Sequence, residues 1–112
     1  GRLSVMLQVS CEITPLFDIG PESFEPPPKV DSSVVRLRPL PEPLVAAEDM
    51  EPFGALVTAA FRQRRKTLRN NLKGLLDGDQ IGALGIDPGI RTESLSIRDL
   101  IRLQRAVDHG QQ

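Results

Sequence analysis

The stretch FRQRRKTLRNNL, Phe61 to Leu72, holds five basic side chains and no acidic one. Carried on to position 73, it contains Arg62, Arg64, Arg65, Lys66, Arg69 and Lys73. Six of the 14 basic residues and none of the 15 acidic ones fall here, so the segment carries +6 and the remainder −7, which the whole-chain charge of −1 conceals. Guanidinium and ammonium groups at this density bind polyanions, neutralising phosphates and releasing their counterions. Drawn on a continuous helix, Arg62, Arg65, Lys66, Arg69 and Lys73 share one broad face, and Phe61, Leu68, Leu72 and Leu75 take the other. A solvated helix face usually alternates acids with bases; here like charges stand four residues apart and destabilise the helix. An acidic partner is therefore expected, with nucleic acid favoured over an acidic protein surface such as the chain's own linker. Asn70 and Asn71 add neutral hydrogen-bonding capacity beside the cations.

The other reactive residue types point to no catalyst. His109 has no metal-spaced partner and is expected to be exposed and inert. Cys11 has no evident basic neighbour and fits the role of a small buried hydrophobe. Asp77-Gly78-Asp79 resembles a piece of a calcium loop without the remaining ligands. No glycine-rich strand-to-helix turn or phosphate-cradling loop is present in these residues.

The elements that must position the basic cluster come from 112 residues, of which 39% are hydrophobic, with four Phe and no Trp or Tyr. That length suits one small domain or a piece of a larger one. Little aromatic area is available for a core or for stacking bases. The single cysteine excludes an intrachain disulfide and a thiolate zinc site and suggests a reducing compartment. No apolar run approaches the roughly 20 residues of a membrane span, and the first residues lack a secretory pattern, so a soluble, cytoplasmic chain is expected.

Residues 3 to 11, LSVMLQVSC, suit either a helix with Leu3, Met6, Leu7 and Cys11 on one face or an alternating strand. Ile13 to Ile19 is β-rich with Pro15 inside it, as in an edge strand or strand entry. PESFEPPPKVDSS follows, its three consecutive prolines holding an extended path. Ser33 to Leu37 reads as a second strand, so an antiparallel pair is expected, marginal unless it leans on further structure. PLPEPLVAAEDMEP then reads as a linker, with four prolines and the uncompensated acids Glu42, Glu48, Asp49 and Glu51.

Beyond it the pattern turns helical, with Phe53, Leu56, Val57, Ala60, Phe61, Leu68, Leu72, Leu75 and Leu76 recurring near a 3.6-residue period. Thr67 can cap a second helix and split this run near Arg64 to Lys66. Gly74, Gly78, Gly82 and Gly85 break the next region into short pieces, and Asp87-Pro88-Gly89 reads as a turn. Ser96 with Asp99 at the third helical position predicts a final helix carrying Ile97, Leu100, Ile101, Gln104 and Val107 on one face.

GRLSVMLQV, FEPPPKVDSSVVRL, AFRQRRKTLRNNL and GIDPGIRTESLS, in that order and at that spacing, resemble the C-terminal part of the bacterial small-subunit ribosomal RNA adenine dimethyltransferases. The resemblance covers nearly the whole chain. It implies an enzyme that uses S-adenosylmethionine to dimethylate N6 of two adjacent adenosines near the 3′ end of small-subunit RNA during ribosome assembly. The fold it implies is an α+β fragment: the terminal helix and β-hairpin of a Rossmann-like methyltransferase domain at residues 1–39, a linker at 40–52, and a small all-α helical RNA-docking domain at 53–112. It also favours helix for the segment Leu3 to Cys11.

By the same resemblance, Phe24 matches a phenylalanine that packs against the flipped target adenine, where the bland alternative is a hydrophobic plug. Arg64, Arg65 and Lys66 match an Arg-Arg-Lys run that looks like the docking patch for the ribosomal subunit, and Arg91 is a further candidate. The family's glycine-rich cofactor turn, its ribose-holding acidic residue and its Asn-Leu-Pro-Tyr type catalytic motif have no counterpart in this sequence. The chain alone is therefore expected neither to bind the cofactor nor to methylate RNA. Two other readings compete: a helical module that binds an acidic protein, and a related mitochondrial-type transcription factor that binds DNA. The GIDP and RTESLS motifs disfavour the latter. Self-association through the orphaned hairpin is expected.

Overall fold

The computed structural model describes residues 1–20 and 32–110; Phe24 and the Pro26 to Pro28 run lie outside them. The first residues form a helix, α1 (Arg2–Gln8), which resolves the ambiguity between helix and strand. Its buried face differs from the expected one. Val5 and Val9 enter the core and Met6 packs beside them, while Leu3 is 72% exposed. Cys11 is half-buried and opens a strand, so it is no part of the helix.

Strands β1 (Cys11–Ile19) and β2 (Ser32–Pro39) pair antiparallel as a two-stranded sheet, running from Cys11 opposite Pro39 to Ile19 opposite Ser32. The register slips between Pro15 and Phe17. Pro15 has no N–H to give the ladder, and a bulge beside it absorbs the missing bond. Near the Ile19 and Ser32 end of the pair the Ser33 hydroxyl donates to the Asp18 carboxylate at 2.6 Å. Leu16, Phe17, Val35 and Leu37 are all exposed.

The proline-rich stretch that follows is stitched back onto the end of α1. Leu40 N–H donates to Ser10 C=O (2.9 Å) and Leu44 N–H to Val9 C=O (2.8 Å), and Val45 is buried. After a 3-10 turn at Ala47–Asp49, helix α2 (Met50–Ala60) begins three residues earlier than the apolar periodicity predicts, with Pro52 in its first turn. A proline is tolerated there because the first amides of a helix lack intrahelical acceptors. Glu48, Asp49 and Glu51, read above as uncompensated, stand at the start of α2, where the positive end of the helix dipole favours them.

Three short elements and one long helix complete the core: α3 (Leu68–Asn71), α4 (Gly78–Ala83), a 3-10 turn at Thr92–Ser94, and α5 (Ile97–Gly110). Local chemistry sets their ends. Asp77 and Gln80 form a reciprocal capping box on α4, so the Asp77-Gly78-Asp79 segment serves as a helix start. Among the described residues no group of three or more acids, histidines or cysteines is placed to hold a metal ion. At the other end of α4, Gly85 takes φ +78. This left-handed turn lets Ile86 N–H reach back to Ile81 C=O and Gly85 N–H to Gly82 C=O, the Schellman pattern. Asp87 accepts from Gly89 N–H at 2.9 Å in the expected turn, and Ser96 caps α5 by accepting from Asp99 N–H at 3.1 Å.

Phe53, Val57, Leu68, Leu72, Ile81, Leu100 and Leu103 are fully enclosed, and Val5, Val9 and Val45 join the same cluster. Helix α2 lies between α1 and α5, and the Arg2 guanidinium donates to the Thr58 hydroxyl at 2.7 Å. Leu75, expected on the buried face, is 39% exposed. Among the described residues no helix is long and apolar enough to cross a membrane.

Candidate nucleic-acid interface

The basic run does not lie along one helix. Helix α2 ends at Ala60, α3 starts at Leu68, and residues 61–67 form an irregular loop between them, so the single broad cationic face expected above is replaced by a folded turn. Arginine, glutamine and lysine all suit a helix, but Arg62, Arg65, Lys66 and Arg69 would then repel one another at three- and four-residue spacing. In the loop that helical spacing is not imposed on them. Thr67 caps α3 as anticipated, its hydroxyl accepting from Asn70 N–H at 3.4 Å.

The loop is held from inside by Asn71. This side chain is 8% exposed, so it adds no surface hydrogen-bonding capacity beside the cations, contrary to the sequence reading. Its Nδ2 donates to Ala60 C=O at 2.8 Å and to Gln63 C=O at 3.1 Å, and its Oδ1 accepts from Gln63 N–H at 3.2 Å. The Thr92 hydroxyl donates to the same Ala60 carbonyl at 2.6 Å. Lys66 N–H closes the turn on Gln63 C=O at 3.0 Å.

Arg62, Arg64, Arg65 and Lys66 are exposed on this loop. A single antiparallel bridge pairs Thr67 with Arg91, and Leu68 N–H donates to Ile90 C=O at 2.7 Å, so the exposed Arg91 stands next to the loop although it is distant in sequence. Arg69 and Lys73 are set apart. Together with Asn70, Asp79 and Gln80 they line an open depression of ≈ 650 Å³ between α3 and the start of α4. There the Arg69 stem lies over Gly78, where an added Cβ would come within 3.3 Å of its Cδ.

Among the described residues the one salt bridge joins Arg102 to Asp99 at 3.6 Å, on α5. It does not involve the basic loop, and no acid of residues 40–52 makes an ion pair with that loop. Loop 61–67 with Arg91 is thus a compact set of solvated cations on a fixed backbone, suited to phosphate oxygens. His109 is exposed at the end of α5. The buried, loop-holding role of Asn71 and any role for Thr92 were missed in the sequence because nothing local marks them. The one hint was an asparagine soon after a capping threonine.

A model of the ribosomal RNA adenine dimethylase family matches residues 1–108 of this chain. The chain belongs to that family. It is 54% identical over 111 residues to the ribosomal RNA small subunit methyltransferase A of Laribacter hongkongensis strain HLHK9, a match spanning 99% of this chain and 42% of the relative. Its backbone is similar to the crystal structure of the 23S rRNA methyltransferase ErmE, with TM-score 0.69 and 25% identity over 96% of this chain and 46% of that one. It also superposes on a dimethyladenosine transferase from Plasmodium falciparum, with TM-score 0.69, 21% identity, and coverage of 99% and 50%; this second likeness concerns the fold. The chain spans about two-fifths of the length of the curated relatives it matches.

Proposed function

We propose that this chain is the C-terminal portion of an S-adenosylmethionine-dependent adenine N6,N6-dimethyltransferase of small-subunit ribosomal RNA, acting in the bacterial cytoplasm, and that its own task is docking. In this reading residues 1–39 end the catalytic domain, 40–52 connect, and 53–112 form a helical docking domain. One observation carries the docking role: Arg62, Arg64, Arg65 and Lys66 project from an internally bonded loop beside Arg91 with no ion pair to any described residue. Fixed cations that lack internal counter-charges attract an external polyanion, and phosphate contacts orient a protein on RNA without reading sequence. RNA shape then supplies selection, and accurate docking presents the adenine that must leave its stack to be methylated. Arg69 and Lys73 extend the contact at the edge of the patch, and Phe24 would meet the displaced base.

The residues of this chain do not fit the cofactor. Among the described residues the left-handed glycines, Gly74 and Gly85, follow helices and connect no strand to a helix. Among the described residues, the depression beside Arg69 and a smaller one beside Pro52, Leu56 and Gln104 are lined by helical and turn residues. Cofactor chemistry therefore belongs to sequence outside these residues, and the purified chain is expected to transfer no methyl group to small-subunit RNA; measurable transfer would overturn that expectation. The exposed Leu16, Phe17, Val35 and Leu37 of the hairpin support self-association of the isolated chain through a second copy.

The deciding experiment is binding to immature small subunits across a salt series, beside an Arg64→Ala, Arg65→Ala, Lys66→Ala triple variant. With roughly three to six phosphates neutralised, log affinity falls against log salt with a slope of about −2 to −5, and the triple variant flattens it by roughly 2 to 3. Binding that ignores salt, or a variant with the parent slope, overturns the docking role.

A further inference from the structure

We propose that Asn71 and Thr92, neither of which presents a side chain to solvent, are positioning residues that hold the cationic loop in its docking conformation. The inference rests on the docking role proposed above. Gln63 lies between Arg62 and Arg64, and the Asn71 amide engages both of its backbone groups, the N–H at 3.2 Å and the C=O at 3.1 Å. One side chain thereby mimics a neighbouring strand at the middle of the loop. The second hydrogen of the same amide nitrogen goes to Ala60 C=O, the carbonyl at which α2 ends. The amide orientation follows from the partners, since the reversed arrangement would set an oxygen against two carbonyls and an NH2 against an N–H.

Thr92 closes the arrangement from the other side. It follows Arg91 directly and donates to the same Ala60 carbonyl. Ala60 is fully enclosed, so water cannot replace either donor, and both acceptor positions of that oxygen are filled by side chains. The Ala60 carbonyl is therefore a common anchor for the two cation-bearing segments, residues 62–66 and Arg91. Four clustered cations repel one another, and a loop held only by its own torsions would spread. The buried amide and hydroxyl oppose that spreading, so the cations meet the RNA in a geometry that is already ordered.

Asn71→Leu and Thr92→Val keep side-chain volume while removing these bonds, and Thr92→Ser keeps the hydroxyl. Releasing one or two peptide units that binding must then re-order corresponds to about a tenfold loss of affinity or more. The expected result for Asn71→Leu and Thr92→Val is weaker binding to small-subunit RNA with an unchanged salt slope, because the number of cations is unchanged. Thr92→Ser should restore affinity. Amide exchange at Gln63 and Lys66 should quicken in both weakened variants while Phe53 and Leu72 keep their protection. Parent affinity in Asn71→Leu and Thr92→Val, with the triple variant weakened, overturns the positioning role and leaves docking standing. A triple variant that binds like the parent overturns docking itself. If Asn71→Leu loses protection throughout, Thr92→Val decides: parent affinity in that variant overturns the inference.

Discussion

The hairpin and the helical region bury their apolar residues in opposite ways. In the helices Phe53 is fully enclosed; on the hairpin Phe17 is 60% exposed although its chemistry is the same. The helical elements surround one another, so each apolar stripe finds a partner within the chain. Among the described residues the two strands pair only with each other edge to edge, and a two-stranded ribbon has no second layer to cover its face. Its order comes from the ladder, from the stitches of Leu40 and Leu44 onto α1, and from the Ser33–Asp18 bond. Apolar content alone therefore does not make a core. What counts is whether the topology supplies a facing surface.

The sharpest test of that contrast pairs the two phenylalanines. Phe53→Ala should lower unfolding stability by about 3–5 kcal/mol, because a filled site becomes a cavity. Phe17→Ala should cost under about 1 kcal/mol in dilute denaturant titrations. Similar losses at both positions would break the comparison and show that the hairpin has an interior of its own.

Next in size is a backbone effect confined to the helical region. Gly85→Ala should cost about 1–2 kcal/mol from its left-handed φ alone, since a Cβ there meets nothing within 4 Å. Gly82→Ala, inside α4 and equally unobstructed, should instead stabilise by about 0.5–1 kcal/mol. Thermal unfolding of the two variants in opposite directions would show that this short helix is limited by backbone conformation rather than by packing.

Asp77→Ala removes the capping box and should cost about 1 kcal/mol, read as faster amide exchange at Gln80 and Ile81. Smallest in stability, within about 0.5 kcal/mol, is Phe17→Ser combined with Val35→Ser. Its readout is the oligomeric state: the double variant should sediment as a monomer where the parent self-associates. An unchanged size distribution in parent and variant would remove the second copy as the cover for these exposed hairpin side chains.

Much of the molecule follows from short-range chemistry. The Thr67 and Ser96 caps and the turn at Asp87-Pro88-Gly89 depend on residues no more than a few positions apart, and each is where its side chains place it. The two strands are legible as β-rich runs, although they pair residues as distant as Cys11 and Pro39. On α5 Leu100 and Gln104 are buried as expected, but the fully enclosed Leu103 was not on the expected face, and Ile97, Ile101 and Val107 are half-buried. The family was equally plain from four ordered motifs, and a family match over residues 1–108 agrees. Other features needed the folded chain. Whether Leu3 or Val5 faces inward on α1 depends on where α2 lies, and a seven-residue helix carries too few turns to declare its own face.

The basic cluster shows the same limit at the site that matters most. Its composition is local, and the cations are evident from residue types alone. Its shape is not, because an apolar 3.6-residue period runs on through Phe61, Leu68 and Leu72 as if one helix continued. The interruption is held by hydrogen bonds that span 8, 11 and 32 positions, from Asn71 and Thr92 to Gln63 and Ala60. Helix periodicity reports contacts three and four residues apart, whereas a buried carbonyl takes whichever donor the fold delivers to it. Residue types determined the charge of the basic loop, and tertiary hydrogen bonds set the backbone that displays it.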